Sequence, residues 1–283
     1  IIIAGGMENM SQAPYLLPKA RSGYRLGNGE FIDSIIKDGL WDAYNDKHMG
    51  TCAEMCVKKN SFSREDLDNF AKISYERAIH AQENNIFIEE IVPVTVSHRK
   101  NDDQIINNDE EPSRVNFKKM PLLKPAFEDN GSITAANASK INDGAAALML
   151  MAREKANSLG LKPLVSIIAQ ASAAHEPEWF TTAPLKAISS TLKKGNLNSN
   201  DIDLWEINEA FGPVVMAAIK EYKLDHNKVN IHGGAIALGH PIGCSGARIL
   251  TTLIHAMIKR EARTGLATLC IGGGEASAIL VRR

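Results

Sequence analysis

Apolar positions in this chain follow two periods at its ends, and a long middle stretch follows neither. Ile1 to Gly6, IIIAGG, reads as a buried strand, after which regular strand and helix alternation lapses from Met7 to about Lys140. That stretch reads as an insertion. It holds turn-rich, charged pieces at Pro14 to Gly29 and Asn101 to Arg114, and between them one clear helix opened by the Ser63-x-x-Asp66 capping box. Leu67, Phe70, Ser74 and Ala78 give that helix a core-facing stripe. Ile91 to Ser97 reads as a strand, and the charged clusters between 99 and 119 as solvated loop.

The alternation resumes at Ile141, where INDGAAALMLM reads as a turn and strand and REKANSLG as a helix stopped by glycine. Leu164 to Ser172 is an apolar strand, and a helix runs from about Pro184 to Lys194. Asp201 to Ile207 forms the next strand, followed by a helix over 209–223. A second helix over 244–260 presents Leu250, Ile254 and Met257 to a sheet, and a hairpin from Leu266 to Val281 closes a layered α/β unit. Ile141, Gly144, Ala146 and Leu150 recur in the same relative places as Ile271, Gly274, Ala276 and Leu280, which points to two related halves.

Composition adds bounds. Residues are 44% hydrophobic, ample for a core, and 32 basic against 33 acidic side chains leave a formal charge of −1. No global basic field exists to attract nucleic acid or an anionic membrane, so any phosphate must be held locally. No apolar run reaches membrane-spanning length. Cys52, Cys56, Cys244 and Cys270 make no disulfide framework and contain no CxxC pair, which favours a reducing compartment and a cytoplasmic location. Cys52 and Cys56 share a helix face near His48, but no further ligand accompanies them, so no metal is expected.

The chemistry concentrates at three strand ends. Asn230 to Arg248, NIHGGAIALGHPIGCSGAR, sets His240 inside a glycine run. Leu204 to Gly212, LWEINEAFG, ends a strand at Asn208, which alternatively serves as a helix cap. Gly265 to Leu280, GLATLCIGGGEASAIL, delivers Cys270 just before Gly272, Gly273 and Gly274. An imidazole, a carboxamide and a thiol beside glycine-freed backbone suit chemistry that moves a proton while stabilising an oxyanion.

These blocks resemble the thiolases, most closely those of the biosynthetic acetyl-CoA acetyltransferase type. NEAF at 208–211, GGAIALGHPIG at 233–243 and CIGGG at 270–274 carry the likeness, joined by GGMENMS at 5–11, HMG at 48–50 and NASKINDGAAA at 137–147. The resemblance implies an α/β, thiolase-like layered fold with its C-terminal half complete, its N-terminal half truncated and a loop domain inserted. Residues 1–10 and 141–162 would be the remnant of the N-terminal domain, 11–140 the loop domain over the active site and 163–283 the C-terminal domain. The acyl-carrying cysteine of the family is expected upstream of Ile1.

By the same resemblance Cys270 is the acid/base at the α-carbon, and His240 binds the thioester oxygen and activates the absent cysteine. Asn208 holds a water, and Gly272 offers a backbone N–H to a second oxyanion hole. His48, Met49, Leu123, Phe127, Ala210 and Phe211 would line the substrate pocket. The implied reaction joins two acetyl-CoA to acetoacetyl-CoA and CoA, or runs in reverse, with coenzyme A thioesters as substrates and neither a metal nor a redox cofactor. A homotetramer or homodimer is the implied assembly. Several positions depart from the family pattern: Pro112 replaces an arginine near the nucleotide, Ala169 a serine contacting pantetheine, Cys244 an alanine and Glu275 a methionine. His80, His98, His175, His226, His232 and His255 have no role. Competing readings are a 3-ketoacyl-CoA thiolase of broader chain length, a thioesterase or acyltransferase with Cys270 as nucleophile and His240 as base, and a non-catalytic truncated subunit.

Overall fold

The computed structural model describes residues 1–97 and 102–283. His98 and the start of the charged loop therefore lie outside the described residues. Strand β1 (Ile2–Asn9) runs antiparallel to β2 (Asp143–Leu150), with Ile2 opposite Leu150 and Asn9 opposite Asp143. The intervening chain makes short two-stranded ribbons, among them Val94–Val96 with Gln104–Ile106, and two long helices, α1 (Met49–Asn60) and α2 (Arg64–Glu83). Both arms of the Ser63 and Asp66 capping box are formed, and Leu67, Phe70, Ser74 and Ala78 are buried as their spacing predicts.

The C-terminal part adds β3 (Ser166–Ala174), α3 (Ala183–Gly195), β4 (Leu204–Ile207), α4 (Gly212–Tyr222), α5 (Ser245–Lys259), β5 (Thr264–Ile271) and β6 (Glu275–Arg282). Its sheet has the order β4-β5-β6-β3, with β4 parallel to β5 and the other pairs antiparallel. Side chains alternate between the two faces. Trp205, Leu266 and Leu280 join Ile188 and Leu192 of α3 in one cluster, whereas Leu204, Ala267 and Val281 meet Ile249, Leu253 and Met257 of α5 in another. Both faces are covered, which is why these strands read as nearly unbroken apolar runs.

Helix α5 also packs against β1 and β2, so it lies between the two sheets. The approach is close: a Cβ on Gly6 would sit 1.9 Å from the Gly243 carbonyl oxygen. Within these 283 residues strand β1, whose apolar run predicts burial, has β2 as its strand partner and leaves Ile2 and Ile3 exposed, at 67% and 72%. One sequence expectation changes here. The helix expected from 209 begins only at Gly212, with Phe211 at its N-cap, because Asn208, Glu209 and Ala210 form a loop with other work to do.

Candidate active site

Parallel pairing of β4 with β5, Ile207 opposite Thr268, brings Asn208 and Cys270 to the same edge of the sheet. The Asn208 N–H donates to the Thr268 carbonyl at 3.0 Å and so continues the ladder one residue past β4. Beside it, Asn230 acts as a substitute strand: its Oδ1 accepts from the Ile207 N–H at 2.8 Å and its Nδ2 donates to the Ile207 carbonyl at 2.8 Å. Glu209 then fastens the glycine loop. Its buried carboxylate accepts from Ser74 Oγ at 2.7 Å, Asn230 Nδ2 at 2.9 Å and the Ile236 N–H at 3.1 Å. A Cβ at Gly234 would strike that carboxylate at 2.3 Å. Burial raises the Glu209 pKa, and the three donors oppose the shift.

The loop so anchored presents His240. Gly239 precedes it at φ +98°, and a Cβ there would lie 2.3 Å from Asn142 Oδ1, so both backbone and space require glycine. The His240 N–H donates to the Lys140 carbonyl at 3.0 Å. Its ring nitrogens have distinct partners: Nδ1 lies 2.6 Å from Ser245 Oγ, and Nε2 lies 3.3 Å from Asn208 Nδ2. Ser245 has a single hydroxyl proton and donates it to the Pro241 carbonyl at 3.0 Å, so Oγ accepts from a protonated Nδ1. Nε2 is then the unprotonated nitrogen and accepts from Asn208. Burial, aided by the Arg248 charge, pushes the imidazole pKa down to about 4. A neutral base therefore faces Asn208, whose own Oδ1 is buried without a protein partner and can hold a water.

His240, Cys270 and Gly272 line one cleft of about 380 Å³, and Ser139 and Lys140 line it too. The substrate-pocket expectations His48, Met49, Phe127, Ala210 and Phe211 are also on its wall. The His48 Nδ1 accepts from the Gly50 N–H at 2.9 Å, capping α1, while its ring stacks on Phe127 at 4.8 Å. Phe127 in turn meets Phe211 edge-on at 6.0 Å. Gly272 is close under this wall, since a Cβ there would lie 2.7 Å from Met49 Cε. Burial pushes the Cys270 thiol up to about 12, so it rests protonated rather than near neutral pH as a freely titrating base would.

Leu123 is the exception among the pocket residues. The 3-10 turn Met120–Leu122 buries Met120 and leaves Leu123 37% exposed, off the cleft wall. Ala169 pairs with Leu280 inside the C-terminal sheet and packs toward α3, so it is not a pocket position; Ser139, from NASK, supplies a hydroxyl-bearing residue on the wall instead. Pro112 is buried in a single helical turn, with Arg114 ion-paired to Glu110 at 2.7 Å. Asn208 is not a helix cap. Cys52 and Cys56 are buried on α1, Cys244 is buried beside the loop, and among the described residues no three His, Cys, Asp or Glu side chains converge as metal ligands. Glu209, Ser245 and Ser139 are the site residues that sequence reasoning passed over. The five-residue step from His240 across Pro241 to Ser245 at the start of α5 is the signal that could have marked one of them.

A cleft that carries a neutral imidazole and a buried thiol, with a carboxamide buried behind the imidazole, suits acyl transfer. Comparison with known proteins agrees: residues 1–154 match the thiolase N-terminal domain and residues 161–283 the thiolase C-terminal domain. The chain belongs to the thiolase family. An acetyl-CoA acetyltransferase of Pseudomonas aeruginosa is 48% identical over 284 residues, covering 100% of this chain and 72% of the relative. A probable acetyl-CoA acetyltransferase of Dictyostelium discoideum is 48% identical over 282 residues, covering 100% of this chain and 68% of the relative. The structure superposes on the Acat5 thiolase of Ascaris suum in complex with coenzyme A with a TM-score of 0.93, at 45% identity, covering 100% of this chain and 72% of the other. Among the described residues no helix is long and apolar enough to cross a membrane.

Proposed function

We propose that this enzyme catalyses the reversible Claisen condensation of two acetyl-CoA to acetoacetyl-CoA and CoA. The observation that carries the reading is the pairing of His240 Nε2 with Asn208 Nδ2 at 3.3 Å, Asn208 being buried behind a cleft wall that carries His240, Cys270 and Gly272. In the first half-reaction a cysteine outside these 283 residues attacks the thioester carbonyl. His240 Nε2 takes the thiol proton, and the resulting imidazolium N–H and the water on Asn208 donate to the oxyanion. Collapse expels CoA thiolate, which takes the Cys270 proton and leaves an acetyl-enzyme, a Cys270 thiolate and the His240 imidazolium. In the second half-reaction that thiolate removes a proton from the α-carbon of a second acetyl-CoA while the Gly272 N–H holds the enolate oxygen. The carbanion attacks the acetyl-enzyme, and the cysteine leaves as a thiolate that recovers its proton from His240.

In the cleavage direction the high pKa of Cys270 suits it to hand a proton to the departing enolate, and it argues against Cys270 as a resting thiolate nucleophile in a thioesterase. The reading extends to the rest of the chain. Residues 11–140 form the loop domain over the cleft, between the 1–10 and 141–162 parts of the N-terminal domain, and 163–283 form the C-terminal domain. We further place the enzyme in the cytoplasm, which its four free cysteines support, and as a homotetramer or homodimer, which rests on family likeness.

The test is Cys270→Ala in the intact protein. Condensation should fall by at least about a hundredfold, the usual scale for loss of a general acid or base, while labelled acetyl-enzyme still forms. Undiminished condensation would overturn the assignment, and acetyl label on Cys270 itself would establish the thioesterase reading in its place.

A further inference from the structure

The Lys140 side chain folds back over its own turn. Its ammonium donates to the Ala138 carbonyl, two residues earlier, at 3.1 Å and to the Ala135 carbonyl, five residues earlier. The remaining side of this cage is the ring of Tyr75, a buried residue of α2 whose centre lies 5.6 Å from Nζ. Ala138 is buried, so its carbonyl needs a donor from the protein itself. Two carbonyl dipoles and an aromatic face together suit a small cation that carries N–H groups.

The chain on either side of the cage is pinned by other bonds. Upstream, the buried Asn137 accepts the Thr134 N–H on Oδ1 at 2.8 Å and donates through Nδ2 to Asp68 of α2 at 2.9 Å. Downstream, the Ser139 N–H donates to the Ala210 carbonyl at 3.2 Å, and the Lys140 carbonyl accepts the His240 N–H at 3.0 Å. The ammonium bridges these two sides by reaching back to Ala135. Ala138, Ser139 and Lys140 all line the cleft, so opening this turn would displace both part of the wall and the backbone anchor of the catalytic histidine.

We propose that Lys140 is a positioning residue for acyl transfer: its ammonium clamps the turn over 135–140 from within, so that the Lys140 carbonyl keeps hold of the His240 N–H and Ser139 stays on the cleft wall. This rests on the reading of His240 as the base that activates the acyl-carrying cysteine. Lys140 acts through that histidine and not on the reacting atoms. A shift of about 1 Å in a catalytic group can cost as much as about a hundredfold in rate, which is how loss of the clamp reaches the chemistry.

The experiment asks whether a free cation can replace the side chain in the intact protein. Lys140→Ala should form acetyl-enzyme from saturating acetyl-CoA at least about tenfold more slowly than wild type. Ammonium chloride should restore most of that loss by occupying the vacated cage, whereas tetramethylammonium chloride at the same ionic strength, which has no N–H to donate, should restore none. Lys140→Met keeps the length of the side chain and guards against a folding defect: it should melt with the wild type, acylate as slowly as Lys140→Ala and gain nothing from ammonium. Acylation within twofold of wild type in both variants would overturn the proposal, as would a loss that the two salts restore equally or not at all. Deuterium exchange of the peptide over 235–245 gives a readout separate from activity. It should quicken in Lys140→Ala and slow again with ammonium, and unchanged exchange would show that the ammonium does not hold His240. A wild type that protects this peptide through Lys140 but forms no acetyl-enzyme would sink the thiolase reaction and leave the clamp standing.

Discussion

Replacing Ser245 with alanine removes the oxygen that holds the proton of His240 on Nδ1. The wild-type arrangement is a chain of two bonds, His240 Nδ1–H to Ser245 Oγ at 2.6 Å and Ser245 O–H to the Pro241 carbonyl at 3.0 Å. In the variant the buried imidazole either keeps Nδ1–H without a partner or moves the proton to Nε2, where the ring can no longer accept one. An unsatisfied buried donor costs about 1–3 kcal/mol, and at about 1.36 kcal/mol per decade the active tautomer should become roughly five- to 150-fold scarcer. The Pro241 carbonyl keeps the Cys244 N–H at 2.8 Å and the Ser245 N–H at 3.0 Å, so the loss of folding stability should come from the imidazole alone and stay within about 1–3 kcal/mol. Ser245 is not on the cleft wall, so KM should hold while kcat falls. The assay is rapid-quench formation of acetyl-enzyme from acetyl-CoA in the intact protein, with a thermal melt on the same sample and Ser245→Thr as the hydroxyl-retaining control. An acylation rate within twofold of wild type, or an equal loss in Ser245→Thr, would refute the tautomer argument.

The His240 pKa near 4 means that the imidazole is already a neutral base throughout pH 5 to 8, so kcat/KM for acylation should show no inflection near 6.5. A pH profile of single-turnover acylation checks this, and an inflection at 6–7 that vanishes in His240→Asn would contradict it. Glu206 is buried on β4, 3.7 Å from Arg248, and burial raises its pKa to about 8. The folded chain thus retains a proton that the unfolded chain releases near pH 4.3, and stability falls as pH rises between those values. Glu206→Gln should flatten that fall, which melting curves from pH 5 to 8.5 of wild type and variant measure; a difference between them that does not vary with pH would count against the raised pKa.

Local patterns in the amino-acid sequence were sufficient wherever short-range physics decides structure. The capping box of α2 and its Leu67, Phe70 and Ala78 stripe are of this kind, as are the strand and glycine turn around Cys270. The three catalytic candidates were legible for a related reason: glycine runs, a histidine between them and a cysteine at a strand end are costly without a use, and they match the blocks of one family. Tertiary structure alone decided what these groups can do. The parallel register of β4 and β5 sets Asn208 beside Cys270, and the distant Ser74, Asn230 and Glu209 hold the His240 loop in place. Burial then moves the imidazole to about 4 and the thiol to about 12. Proton affinity depends on desolvation and on partners far apart in the chain, and no spacing along the polymer encodes either.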